Sequence, residues 1–272
     1  MPAQTRRACF PSFAVTRCLS SLAALLVNVS TAIFEGSATP EEMAHEVAVG
    51  FATNALRTYV PNYAYIFGYF SCGGPILRGA DVVSWCRGSG PGSVGYALYE
   101  NIQGAKSFKS YVQTETPQRI WRAYLQILMA LRCGQTRAKF THYDLHCENI
   151  LIRPAKSAEF NIPMDDFYVK ADGICTMIDF GMSHVEWKDG RGRYNLGYVG
   201  KHAPLSMYGI YRDRMHPMHD AYKLLCFMLW DLLREQRDKS YMPINGTYEQ
   251  LAPLLRFFNK TENPLAIVVL QR

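Results

Sequence analysis

Two short runs of this chain concentrate oxygen-bearing side chains at spacings that could do chemistry. The first is Thr141-His142-Tyr143-Asp144-Leu145-His146-Cys147-Glu148-Asn149-Ile150-Leu151-Ile152, and the second is Met177-Ile178-Asp179-Phe180-Gly181. Asp144 and Asp179 carry carboxylates, and Asn149 carries an amide oxygen. Hard oxygen donors of this kind suit a divalent cation such as Mg2+, and a carboxylate can also take the proton of an attacking hydroxyl. Asp144 and Asn149 stand five residues apart, so one loop can face both an acceptor and a metal. Such a set fits group transfer governed by positioning.

The elements that would hold these groups are legible nearby. Ile150-Leu151-Ile152 reads as a short buried strand directly after the first run. Cys175-Thr176-Met177-Ile178 reads as a second one leading into Asp179. Pairing of the two would bring Asp179 back towards Asn149. Ile120, Trp121, Tyr124, Leu125, Leu128 and Leu131 recur at helical spacing and predict a helix over Pro117–Arg132. A second apolar helix is predicted over Met218–Leu233. Upstream, Thr39-Pro40-Glu41-Glu42 combines an N-cap type, a proline at the first helical position and acids in the first turn. That helix is expected to run through Glu46 to about Arg57. Strands are predicted over Leu25–Val29, Tyr65–Cys72 and Tyr96–Glu100. Gly73–Gly95 reads as a Gly/Ser/Pro-rich loop, Asn101–Ser107 as a polar turn, and Pro154–Asp172 as a polar insert.

A chain of 272 residues can bury a sizeable core as one large domain or two lobes. Its 49% hydrophobic and 19% charged residues are those of a globular protein. The net charge of +6 suits an anionic ligand, but no basic block is dense enough to point to nucleic acid. No apolar run is long enough to span a bilayer, so no membrane partner is expected. The eight cysteines form no C-x-x-C pair, which argues against zinc. Cys147 and Cys175 lie in or beside the two chemical runs, where a disulfide would be out of place. They read as free thiols of a reducing compartment. Trp121 and Trp230 read as core, and Trp85 and Trp187 as partly buried packing residues. Lys188, Arg191, Arg193 and Lys201 read as a solvated basic face or a site for an acidic substrate.

The order H-x-D-L-x-x-x-N, strand, strand, D-F-G resembles the catalytic and metal-binding loops of the protein-kinase superfamily. The resemblance covers about Leu25 to Leu233. It implies an α+β, protein-kinase-like two-lobed fold: a reduced β-rich N-terminal lobe over 21–104 and a mostly helical C-terminal lobe over 105–272, after an extension over 1–20. It also implies transfer of the γ-phosphate of ATP, with Mg2+, to serine or threonine of a protein. Asp144 would be the base, Asn149 and Asp179 would hold magnesium, and the backbone from Glu100 to Ile102 would contact adenine. Glu46 would be the helix glutamate that pairs with a strand lysine. His142 would pack beneath the loop, and Asp220 would hydrogen-bond its backbone. D-L-H-x-x-N resembles haspin-like kinases and the aminoglycoside and choline phosphotransferases, and Met182-Ser183-His184 after the D-F-G also resembles haspin-like kinases. The wider string is similar to kinase-like proteins of large DNA viruses. His146 is a catalytic-loop candidate, read as orienting the loop in preference to moving a proton.

The chain also departs from that pattern. The strand position expected to hold lysine, 18 residues before Glu46, is Asn28. No lysine precedes Lys106, and no glycine precedes Asn28. Gly90-Pro91-Gly92-Ser93-Val94-Gly95 imitates a phosphate-covering loop, with Lys106 downstream. Only 38 residues separate Lys106 from Asp144, too few for the intervening elements, so the glycine run is expected to be a surface loop. Tyr143 stands where arginine is usual, A-P-E is missing, and the last large-lobe helices are expected to be short or absent. Two alternatives follow: a pseudokinase that binds or regulates a protein partner, and a small-molecule phosphotransferase. Arg6, Arg7 and Arg17 before Leu22–Val29 resemble a targeting segment. Use of cytosolic ATP favours the cytoplasm, that of a host cell (or a virion) for a viral protein.

Overall fold

The computed structural model describes residues 40–72, 76–78, 81–84, 94–155, 159–189, 192–200, 209–237 and 247–259. They form a mixed α+β structure of helices and small antiparallel sheets. The expected strand Leu25–Val29, with Asn28, lies outside the described residues, as do Trp85, Arg191 and Lys201.

Helix α1 (Pro40–Asn54) begins at the predicted proline, with Glu41 and Glu42 in its first turn, where acids favour the positive helix end. It ends three residues earlier than expected and tightens into a 3-10 turn over Ala55–Thr58. Asn54 explains the stop. Its Nδ2 donates to Ile66 O at 2.8 Å, and its Oδ1 accepts from Ile66 N at 3.0 Å. Both ends of one amide thus dock the helix terminus on strand β1 (Ile66–Cys72).

The Gly73–Gly95 stretch is not one loop. It contains strands β2 (Ile76–Arg78) and β3 (Asp81–Ser84), paired antiparallel, and strand-prone Ile76, Val82 and Val83 account for them. Strand β4 (Val94–Tyr99) starts before its predicted onset and pairs with β1, from Ile66↔Tyr99 to Cys72↔Val94. Met43, Val47, Ile66 and Ala97 make a small core between α1 and this hairpin.

The Asn101–Ser107 turn ends in a two-residue strand, β5 (Lys106–Ser107). Helix α2 (Phe108–Thr114) follows, capped by Ser107, whose side chain accepts from Ser110 N at 3.2 Å. The long helix α3 (Pro117–Ala138) buries Ile120, Ala123, Tyr124, Ile127, Ala130 and Leu131, the i, i+3, i+4, i+7 stripe of an amphipathic helix. Trp121 sits half-buried at its edge and Leu125 points outward. The helix closes at Lys139 in a left-handed conformation (φ 48°).

Strand β6 (Ile150–Pro154) lies between β5 and β9 (Gly173–Met177), all antiparallel. The supposed polar insert is a hairpin of β7 (Phe160–Met164) and β8 (Phe167–Ala171). Its period-two alternation buries Ile162, Met164, Val169 and Ala171. The pattern was masked by the polar residues on the other face. A buried network bolts β9 to α3. Gln126 Oε1 accepts from Cys175 N at 2.7 Å and from Asn62 Nδ2 at 2.6 Å, while Gln126 Nε2 donates to Gly173 O at 3.1 Å.

Strands β10 (Val185–Asp189) and β11 (Gly192–Leu196) form a further hairpin, on which Lys188 opposes Arg193 and Trp187 stacks on Tyr194. Arg193 pairs with Glu186 on the same hairpin. Helix α4 (His219–Arg237) supplies Leu224, Leu225, Met228, Leu229 and Leu232 to the main core. Trp230 is half-buried instead of belonging to it. Helices α5 (Thr247–Leu251) and α6 (Leu254–Asn259) pack Leu251 and Leu255 against the same core. Cys133, Cys147, Cys175 and Cys226 are free and buried. Burial pushes the Cys226 thiol up to about 12 and lifts those of Cys147 and Cys175 as well, so these sulfurs act as packing groups.

Candidate functional site

The two chemical runs meet because β6 and β9 pair. Ile150 opposes Met177, and Ile178 N donates to Asn149 O at 3.0 Å. Asn149 and Asp179, 30 residues apart in sequence, therefore stand at adjacent strand ends. Both line a cavity of about 350 Å³ whose wall also holds Glu46, Ala64, Tyr99, Glu100, Asn101, Ile102, Leu151 and Ile178. Five of the residues singled out in the sequence (Glu46, Glu100, Ile102, Asn149 and Asp179) are thus brought to one crevice. Apolar Ala64, Leu151, Ile102 and Ile178 give it the part-apolar lining of a small-molecule site. The sequence did not mark Tyr99, Ala64, Leu151 or Ile178 as site residues.

The loop around Asp144 is fixed by its backbone. Asp220, fully buried at the start of α4, accepts from His142 N at 2.7 Å and from Tyr143 N at 2.9 Å. This is the contact expected of Asp220. It holds Tyr143 at φ 63°, in the left-handed region. Tyr143 is fully buried, and its hydroxyl donates to Arg214 O at 2.7 Å. His142 is buried under the loop as anticipated, with its Nε2 2.9 Å from Ile178 O and its ring 5.8 Å from that of Phe180.

Asp144 itself is not part of the cavity wall. It stands one link away, since Asn149 Nδ2 donates to Asp144 O at 3.0 Å. Its side chain is 31% exposed. One carboxylate oxygen, Oδ1, accepts from Lys223 Nζ at 2.7 Å, and the other, Oδ2, lies 3.8 Å from His146 Nε2. His146 orients the loop: its Nδ1 accepts from Glu148 N at 3.2 Å, capping the 3-10 turn Cys147–Asn149. Burial lowers the His146 pKa, against the opposing pull of Asp144. Lys223 carried no motif, yet its place one helical turn beyond Asp220 could have flagged it.

Glu46 is buried and accepts a short hydrogen bond from the Tyr99 hydroxyl. Burial raises its pKa; the Tyr99 hydrogen bond works in the opposite direction, and the Asp179 charge adds to the rise. Burial and the Glu46 charge also push the Tyr99 phenol far above its usual range, so it serves as a neutral donor. A methyl group on Gly181 would lie 3.4 Å from Asp179 Oδ1 and 4.0 Å from Glu46 Oε2, so both carboxylates flank the glycine of D-F-G. Asp179 sits at φ 63°, and its Oδ1 is 3.4 Å from Gly181 N.

No Lys or Arg is among the described residues of the cavity wall. Lys106 is engaged elsewhere, with Glu115 at 3.0 Å, so it does not serve this cavity. Gly90–Ser93 lie outside the described residues, and Gly95 belongs to β4. The Glu100 carboxylate pairs with Arg57 and accepts from Tyr65 N at 3.0 Å. Its N–H is committed to Tyr65 O at 2.9 Å.

The residues present fit magnesium. With its Nδ2 committed to Asp144 O, Asn149 has its oxygen available, and Asp179 adds a carboxylate. Magnesium commonly takes one or two protein oxygens and completes its shell with phosphate and water. The described residues contain no cluster of three or more His, Cys, Asp or Glu that could cage a metal, in keeping with that sparse mode. Among them, no helix is long and apolar enough to cross a membrane.

No family model matches the chain. It is similar to Probable kinase 098L of Invertebrate iridescent virus 3, with 30% identity over 164 residues. The matched stretch is 58% of this chain and 28% of that protein, so the chain corresponds to well under half of its relative's length. The site geometry and this similarity together support a kinase-like relationship.

Proposed function

We propose that this protein is a phosphotransferase of two-lobed, protein-kinase-like architecture that moves the γ-phosphate of MgATP to serine or threonine of a protein. One observation carries the reading: Glu46, Asn149 and Asp179 meet in a cavity of about 350 Å³, with Asp144 one hydrogen bond beyond Asn149. On this reading Asp144 accepts the hydroxyl proton. Asn149 and Asp179 hold Mg2+, which neutralises phosphate charge when bound. Adenine lies along the backbone near Glu100–Ile102, read by groups other than the Glu100 N–H. The cytoplasm, of a host cell for a viral protein, supplies the ATP, and the acceptor is a protein partner.

A second reading is favoured by the state of Glu46. Its partner is the neutral Tyr99 phenol, and no cation is among the described residues of the cavity wall. Removing one oriented charge-stabilising group commonly costs about 10²–10³ in rate. On this account the chain is a pseudokinase that binds nucleotide and regulates a partner. Label transfer from γ-labelled ATP to a protein acceptor, with Asp144→Asn as control, decides between them. Transfer lost in Asp144→Asn supports the first. MgATP-dependent thermal stabilisation without transfer supports the second.

A further inference from the structure

Lys223 stands against the Asp144 loop with no motif to mark it. Asp220, Lys223 and Phe227 occupy i, i+3 and i+7 on α4 and so share one helix face. Asp220 takes the N–H groups of His142 and Tyr143. Lys223 Nζ donates to Tyr143 O at 3.1 Å and to Asp144 Oδ1 at 2.7 Å. The Phe227 ring lies 6.0 Å from Lys223 Nζ and 5.7 Å from the His146 ring, so it floors both groups that flank Asp144. Three consecutive loop residues are therefore set by one face of one helix.

The Lys223 side chain is only 14% exposed, beside an Asp144 side chain that is 31% exposed, so the pair is held largely away from water. Desolvating an ion is costly enough that a buried pair returns little net stability. Stability alone thus accounts poorly for a lysine here, where an apolar side chain would pack. Direction is what the pair does supply. With Oδ1 engaged by Lys223, Oδ2 is the Asp144 oxygen left to face an incoming hydroxyl.

We propose that Lys223 is a positioning residue for the phosphoryl transfer assigned above, and the inference rests on that assignment. Lys223 aims the Asp144 carboxylate. In the step, the acceptor O–H gives its proton to Asp144 Oδ2 while its oxygen bonds to the γ-phosphorus. The bond from that phosphorus to the ADP oxygen breaks, and the electron pair leaves with ADP. Lys223 makes and breaks no covalent bond.

The test uses the full chain with γ-labelled ATP, a casein and histone acceptor mixture, and MgATP binding by calorimetry. Lys223→Met is expected to lower kcat about 100-fold, with MgATP affinity kept within about twofold, as for a misaimed reacting group. Lys223→Arg should restore a substantial part of the rate. Lys223→Met combined with Asp144→Asn should be no slower than Asp144→Asn alone, because residues that act as one unit are non-additive. Lys223→Gln, which removes the charge and keeps a donor for Tyr143 O, serves if the Met variant does not fold. Loss of MgATP affinity in step with rate, or additive effects in the double variant, overturns the positioning role. Wild-type transfer that survives Lys223→Met unchanged overturns that role alone. MgATP binding by the wild type with no transfer overturns the phosphotransferase assignment and the positioning role with it.

Discussion

Replacing Asp220 by alanine should unlatch the Asp144 loop, and the structure permits an estimate of the cost. Asp220 is fully buried and accepts two backbone N–H bonds, at 2.7 and 2.9 Å. Hydrogen bonds to a charged group contribute about 1.5–3 kcal/mol each, and their loss here leaves buried donors without acceptors. Two such bonds amount to about 3–6 kcal/mol. Some is recovered, because Tyr143 at φ 63° can relax once released, and such conformations cost about 1–3 kcal/mol. The net loss is about 3 kcal/mol, a large part of the roughly 5–15 kcal/mol that holds a typical domain folded. With a urea m-value of about 3 kcal/mol/M, the unfolding midpoint should fall by about 1 M. Asp220→Asn should fall less far, since its single amide oxygen keeps one acceptor and turns an NH2 towards the other donor. Urea unfolding followed by tryptophan fluorescence measures both. A loss below about 1 kcal/mol for Asp220→Ala, within the spread of ordinary surface substitutions and small contacts, would refute the latch.

The remaining predictions concern the cavity wall and the core. Burial raises the Glu46 pKa above its ordinary 4.5. The folded state therefore binds the proton more tightly than the unfolded state does, and stability falls as pH rises from about 4.5 through the raised value. Glu46→Gln keeps an acceptor for Tyr99 and removes the charge. It should raise the melting temperature at pH 7, with a gain that shrinks as the pH is lowered towards 4.5. A gain that is the same at every pH would contradict this assignment. In the core, Gln126→Ala strands Cys175 N and Gly173 O and removes one of the two acceptors of Asn62 Nδ2, which keeps Cys175 O. It should cost about 2–4 kcal/mol, more than the loss of one ordinary side-chain hydrogen bond. Calorimetric melting checks it, and an effect under about 1 kcal/mol would mean that water replaces the amide.

The residues of the candidate site were legible because their pattern depends on local order. Two carboxylates and an amide oxygen at motif spacing, each leading into or out of an apolar run, are properties of neighbouring residues. So were α3 and α4, whose apolar stripes repeat at helical period, and the start of α1, where proline and two acids coincide. The β7–β8 hairpin was hidden, because its apolar positions alternate with Asn161, Pro163, Tyr168 and Lys170, and polar outward faces look like a loop when composition is read without period. The short β2–β3 hairpin was hidden by its flanking glycines in the same way.

Tertiary structure alone decided which distant groups became partners. Glu46 could be marked as a helix glutamate, but its Tyr99 partner lies 53 residues away and needed the β1–β4 hairpin to be packed on α1. Lys223 meets Asp144 across 79 residues, at a place set by where α4 crosses the loop. Local sequence carries periodicity and motif, which short-range sterics and burial translate into elements. Which buried charge faces which is settled only when the core closes, because desolvation makes every polar group taken inside find a partner wherever the fold has put one.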